Sequence, residues 1–212
     1  MFTSTRRGAG VALSATVLGI GLLGSVGAGS AVAADGHLRC QGLVPTIVGN
    51  GRVVQGTSRR DVILLRKPSR VLAGGGDDVI CGSDKADDIH GGPGNDRIVG
   101  GGGRDIIAGD AGNDIESGDA GDDRLSGGVG DDRLSGGVGN DDLSGGAGRD
   151  RLDGGLGDDA LAGDDGDDSI VSGPGDDRSD GGTGHDSVDG VEDHETPDVP
   201  GTDDHGHGGH GR

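Results

Sequence analysis

From Ala73 to Asp189 the chain can be written as thirteen rows of nine residues without an insertion, and the sixth residue of every row is aspartate. The column runs Asp78, Asp87, Asp96, Asp105, Asp114, Asp123, Asp132, Asp141, Asp150, Asp159, Asp168, Asp177 and Asp186. A nine-residue unit is too short to bury a core of its own, so units repeated in this register must stack on one another. The eighth column supplies the apolar side chains: Ile80, Ile89, Ile98, Ile107, Leu125, Leu134, Leu143, Leu152, Leu161, Ile170 and Val188, with Glu116 and Ser179 as exceptions. One apolar residue in nine leaves no helical face. It suits a very short strand over residues seven to nine of each row, whose middle side chain points inward while its neighbours face solvent. Arg97, Arg124, Arg133, Arg151 and Arg178 in the seventh column agree with that alternation.

The other six residues of a row, mostly Gly-Gly-x-Gly-x-Asp, predict a turn, because glycine tolerates the positive φ values that a side chain obstructs. Strand, turn, strand, turn makes a coil of 18 residues, and stacking such coils at about 4.8 Å lays every second turn over its equivalent. Each side of the stack then carries a ladder of aspartates that repel one another unless cations intervene. Gly-rich turns also expose carbonyl oxygens, and carboxylate with carbonyl oxygen is the donor set that suits Ca²⁺. Mg²⁺ fits less well, since it gives up water reluctantly and demands stricter geometry.

Rows such as GGPGNDRIV (91–99) and GGVGDDRLS (127–135) follow the pattern GGxGxDxUx, and the chain over 73–189 resembles the RTX, or haemolysin-type, calcium-binding repeat proteins. The resemblance implies an all-β fold, a parallel β-roll solenoid of 18-residue coils, with Ca²⁺ held between successive turns by the column-six aspartates and turn carbonyls. Seven turns on one side and six on the other enclose up to about 11 ions if every gap is competent. Asp87 is expected to be a weak site, because its row carries Ser83 and Lys85 where glycines belong, stiffening the turn and bringing an ammonium near. Core is expected to be thinnest at Glu116 and at Ser172 and Ser179. Residues 34–72 read as an N-terminal cap: Gly56 to Ile63 looks like a repeat one residue out of phase, and Thr46 to Gly49 like a still earlier coil.

Residues 1–33 are a different material. Arg6 and Arg7 precede an uncharged stretch from Gly8 to Ala34, and Ala31-Val32-Ala33 offers a small-x-small cleavage pattern, so the segment resembles a secretory signal peptide. An uncleaved membrane anchor is the alternative. The twin arginine is followed by Gly8, Ala9 and Gly10, not by bulky apolar residues, and a chain unfolded in the calcium-poor cytoplasm suits threading, so the general secretion channel is expected rather than folded export. The expected location is extracellular, with no integral membrane span in the mature chain. An exported chain with two cysteines, Cys40 and Cys81, is expected to join them in a disulfide, two unpaired thiols being the alternative. Residues 190–212 read as an acidic, disordered tail in which His205, His207 and His210 are either a transition-metal chelator or merely solubilising.

Composition sharpens the electrostatics. The chain has 52 Gly, one aromatic residue, and 38 Asp plus Glu against 18 Lys plus Arg, a net charge of −20. Such a polyanion lacks the apolar bulk of an ordinary domain and argues for cations, not nucleic acid, as partners. No enzyme is expected. Only about 39 residues lie between the cleavage point and the array, against the 100 or so of a catalytic domain, and neither His-Glu-x-x-His nor Gly-x-Ser-x-Gly occurs. The reading is a secreted calcium-binding structural or binding module that folds on meeting Ca²⁺. The alternatives are a calcium-rigidified adhesion or surface-interaction protein that uses the outward arginines, or an extracellular calcium buffer. The macromolecular partner is left open.

Overall fold

The computed structural model describes residues 40–189; the segment expected to be a signal peptide, the first residues of the expected cap (34–39) and the expected disordered tail lie outside the described residues. Four short strands come first: β1 (Ile47–Gly49), β2 (Arg52–Gln55), β3 (Val62–Leu65) and β4 (Ser69–Leu72). The nine-residue rows then contribute β5 (Val79–Cys81), β6 (Asp88–Pro93), β7 (Arg97–Gly102), β8 (Ile106–Ala111), β9 (Ile115–Ala120), β10 (Arg124–Val129), β11 (Arg133–Val138), β12 (Asp142–Ala147), β13 (Arg151–Leu156), β14 (Ala160–Asp165), β15 (Ser169–Val171), β16 (Arg178–Asp180) and β17 (Ser187–Asp189). Successive strands alternate between two parallel sheets, the odd-numbered strands in one and the even-numbered in the other. The result is a parallel β-solenoid of about eight turns of ~18 residues.

Pairing follows the row length. From β4 onward each residue lies beside the one 18 positions later, as in Arg70 with Asp88 and Arg124 with Asp142. In the first coils the offset is shorter: Val62 pairs Val79 and Ile47 pairs Ile63. The one-residue phase slip between Asp61 and the array is therefore absorbed by a tighter coil, without breaking either sheet.

In the middle of the stack the strands are six residues long, not the three expected from the pattern. The run Arg124–Val129, for example, crosses from one row into the next. The ladder skips the position-one glycine, Gly127, and resumes at Gly128 and Val129, so the chain bends at one residue and keeps pairing. The true turn shrinks to positions four to six. This bend needs glycine: at Gly128, with φ +108°, a Cβ would run into the carbonyl oxygen of Asp110 one coil earlier. Asp110, Asp119 and Asp164 stand at the same second position and adopt the left-handed backbone despite their side chains, with φ of 76°, 70° and 70°, which Asp tolerates better than most residues.

The column-eight side chains stack into one continuous core from Ile63 to Ile170, each at most 3% exposed. Glu116 occupies its place in that column between Ile98 and Leu134 and is itself buried. Ser179 is half-buried and shares a hydrogen bond of 2.7 Å with Ser172, so the two expected weak points lean on each other. At the N-terminal end a second cluster gathers Cys40, Val62, Leu64, Val79 and Cys81, and Cys40 and Cys81 form the disulfide, Cα to Cα 5.7 Å. Among the described residues no helix is long and apolar enough to cross a membrane.

Candidate metal centre

Column six sits just before each strand, so the two-residue period turns its side chain inward, in line with column eight. Because the coils are 18 residues apart, the aspartates of alternate rows lie one above another. The backbone N–H of each donates to Oδ1 of the aspartate one coil later: Asp78 to Asp96 at 2.8 Å, Asp96 to Asp114, Asp114 to Asp132 and Asp105 to Asp123 at 2.7 Å, Asp159 to Asp177 and Asp168 to Asp186 at 2.9 Å. The ladders start on Asp61, which donates to Asp78 at 2.7 Å, and on Ser69, which donates to Asp87 at 2.6 Å. One carboxylate oxygen per row is thus a structural acceptor that fixes the side chain.

The other oxygen is left over. Oδ2 of Asp78, Asp96, Asp105, Asp114, Asp123, Asp132, Asp141, Asp150, Asp159, Asp168 and Asp177 is buried and makes no hydrogen bond. In the nine rows from Asp96 to Asp168 it points at the position-one glycine of its own row, whereas the rows of Asp78 and Asp177 carry Ala73 and Ser172 there. A Cβ on Gly127 would overlap Asp132 Oδ2 and come within 2.7 Å of the Gly145 carbonyl oxygen, and the same holds at Gly136 with Asp141 and Gly154. The missing side chain leaves a small cradle in which a carboxylate oxygen and a carbonyl oxygen meet. An orphaned buried anion beside carbonyl oxygen fits a hard divalent cation that takes six to eight oxygens.

Energetically the cradles are poised for one. Burial pushes the carboxyls of Asp96 and Asp105 up to about 7, the backbone hydrogen bond opposing and the neighbouring ladder aspartates adding to the rise. Asp78, Asp114, Asp132, Asp141, Asp159 and Asp168 are pushed to about 6, burial again being the largest cause. An anion taken from water without a counter-charge favours its neutral form. Glu116, in the core column, is driven well above the usual carboxylate range by burial, with Asp114 and Asp132 adding to the push.

Two aspartates in the same register are closed. Asp87 Oδ2 accepts from the Ser83 amide at 2.7 Å and the Ser83 hydroxyl at 2.9 Å. Asp61 Oδ2 is held the same way by Thr57, at 2.8 and 2.9 Å. A stiff turn and the Lys85 ammonium were the grounds for expecting a weak Asp87; what sets this rung apart in the structure is the Ser83 hydroxyl. Asp186, in the final coil, is half-buried.

A further ladder lies in column five, which the sequence pattern had left as a free position. Here the amide of the later residue donates to the earlier side chain: Asn95 to Asp77, Asn113 to Asn95, Asp131 to Asn113 and Arg149 to Asp131, at 2.8 to 3.0 Å. Nine of the thirteen column-five residues are Asp or Asn, and that was the signal available. Outside, Arg124 lies 3.4 Å from Asp142. Arg133 and Arg151 are direct neighbours in the ladder, and neither lies within 4 Å of a carboxylate among the described residues.

A parallel β-roll whose turns hold stacked, buried aspartates with a bare carboxylate oxygen defines a β-solenoid with a repeated set of candidate cation ligands. Residues 82–116, 117–152 and 153–188 match the family model described as RTX calcium-binding nonapeptide repeat (4 copies), and the chain belongs to that family. Its repeats are calcium-binding repeats. No curated protein matches the chain.

Proposed function

We propose that the protein is a secreted, non-enzymatic calcium-binding module whose roll forms when Ca²⁺ enters the turn cradles. The observation that carries this reading is the set of eleven column-six aspartates with a buried Oδ2 and no partner. In the cation-free roll these anions repel along each ladder and have lost their water, whereas Ca²⁺ bound there returns both the charge and the oxygen coordination. The proposed ligands are Asp78, Asp96, Asp105, Asp114, Asp123, Asp132, Asp141, Asp150, Asp159, Asp168, Asp177 and Asp186 with turn carbonyls; Asp87 is left out because Ser83 already saturates it. Secretion is supported by the Cys40–Cys81 disulfide, which forms and persists in oxidising compartments.

Far-ultraviolet circular dichroism tests the reading. Full-length protein titrated with Ca²⁺ from micromolar to millimolar should pass from a coil spectrum to a β spectrum, with Mg²⁺ at the same concentrations ineffective. A coil spectrum that persists at millimolar Ca²⁺ removes the proposal. An adhesion role built on the same calcium-held scaffold is favoured by the adjacent Arg133 and Arg151, which the fold exposes side by side. Replacing both with Ser should abolish binding to polysaccharide or cells while leaving the calcium transition intact; unchanged binding leaves the plain structural module.

A further inference from the structure

Glu116 is the only acidic residue in the inward eighth column. On β9 it stands in register between Ile98 of β7 and Leu134 of β11, 1% exposed, in a place where every neighbour in the column is apolar. Both of its carboxylate oxygens are buried without a well-formed hydrogen bond; the nearby Gly109 backbone amide favours the charged form, but burial outweighs it. A leucine would complete the stack, so an acid here loses apolar packing and takes on a desolvated charge unless something meets it.

Its surroundings say what that is. Columns six and eight share the inward face of one strand, which puts the Glu116 carboxyl beside that of Asp114. A Cβ on Gly109 would overlap both Asp114 Oδ2 and Glu116 Oε1, so the two carboxylates converge on the floor of a single turn. Asp114 Oδ1 is already taken by the Asp96 amide at 2.7 Å, which leaves Asp114 Oδ2 and the Glu116 carboxyl aimed into the cradle together. At the neighbouring turns Gly91, Gly100, Gly118 and Gly127 meet the Oδ2 of Asp96, Asp105, Asp123 and Asp132 together with a carbonyl oxygen of the next coil, and no second carboxylate. This rung therefore offers one more anionic ligand than the rungs around it, and the number of charged ligands is a main determinant of Ca²⁺ affinity.

We propose that Glu116 reaches out of the core to ligate the cation held at the Asp114 rung, making it the tightest calcium site of the array. The proposal rests on the calcium reading of the column-six aspartates and adds a ligand from a column whose ordinary task is apolar packing. It also explains why the break in that column falls beside an open rung: the acid is neutralised by the ion it helps to bind.

The test compares full-length wild type with Glu116→Leu and Glu116→Gln, by calcium-titrated circular dichroism and by isothermal titration calorimetry. If Glu116 is a ligand, both variants need roughly three- to tenfold more Ca²⁺ at the folding midpoint, and calorimetry finds one fewer ion in the tightest class. Leucine is the residue the column otherwise carries, so its folding is not in doubt. If Glu116 is merely an acid in the core, Glu116→Leu gains packing and loses a buried charge, and its midpoint falls or stays put with the tight class intact; either result overturns the proposal. A wild type without any calcium transition overturns the calcium reading and this proposal together, an outcome distinguishable from parity between wild type and variants.

Discussion

In the first coils Asp61 and Asp87 have Oδ2 occupied by the amide and hydroxyl of a residue four positions earlier, Thr57 or Ser83. In the array, Asp96 to Asp177 accept a backbone amide at Oδ1, as Asp87 does from Ser69, but leave Oδ2 bare. The backbone ladder is common to both regions; the second position of the row differs. A hydroxyl there neutralises the turn from within, by hydrogen bonds that work at any calcium level. Glycine, or a left-handed aspartate such as Asp110 or Asp119, supplies no such donor and leaves a cradle for a cation. On the calcium reading the Asp61 and Asp87 rungs are self-sufficient, helped by the Cys40–Cys81 bond, whereas Asp78 between them and the body of the array wait on a cation.

The largest effect should come from removing calcium altogether. With a chelator at neutral pH, hydrogen exchange is expected to lose protection at the amides of Asp96 to Asp168 while those of Asp61, Val62 and Val79 beside the disulfide exchange more slowly. Uniform exchange across both regions breaks the comparison.

Acid should partly replace the ion. These carboxyls titrate near 4 in an unfolded chain but at about 6 to 7 in the cation-free roll. The folded state therefore prefers the protonated form. The cation-free roll is most favoured below about pH 4 and loses that advantage as pH rises through 6 to 7. In chelator, the β signal should be strongest in acid and fade toward pH 8, and the Ca²⁺ midpoint should rise as pH is lowered from 7.5 to 5.5, since binding displaces protons. A pH-independent midpoint contradicts the buried-anion account.

Cys40→Ala with Cys81→Ala opens a loop of 41 residues, worth about 4 kcal/mol in the chain-entropy model. Urea denaturation in saturating calcium should register the loss, and exchange should locate it at the first coils.

Single aspartates separate the two regions directly. Asp132→Ala removes the acceptor of the Asp114 amide and should cost about 1–3 kcal/mol for the unpaired buried donor, besides raising the calcium midpoint. Asp61→Asn should leave that midpoint unchanged. Smallest is Ser83→Ala, which deletes one hydroxyl contact to Asp87 while the amide contact stays, for about 1 kcal/mol measured by urea melts, and no loss of bound calcium.

Much of this was legible in the chain. The unbroken Asp column and the column of Ile and Leu fixed the 18-residue coil, the parallel stacking and the inward faces, because a strand's side-chain period is two and a repeated unit must meet its own copies. The early coils were readable too, as the slip at Asp61 is a slip in the pattern itself. Strand length was not: whether Gly127 ends the strand or only bends it depends on the neighbouring coils continuing to pair at Val129. The Asn95 and Asn113 ladder was missed because an Asx side chain accepts from a backbone amide only when another coil delivers that amide 18 residues away.

By itself, then, the sequence determined the period, the two-sheeted coil and the family, all properties of a unit repeated in register. Tertiary structure alone decided how each aspartate divides its oxygens: within the array Oδ1 goes to a neighbour's amide, while Oδ2 goes to Thr57 at Asp61, to Ser83 at Asp87, and is left without a partner in eleven other rows. The reason is physical. Hydrogen-bond partners and desolvation are set by what stacking brings within 3 Å, and identical letters in one column acquire different environments once their neighbours above, below and across the turn are in place.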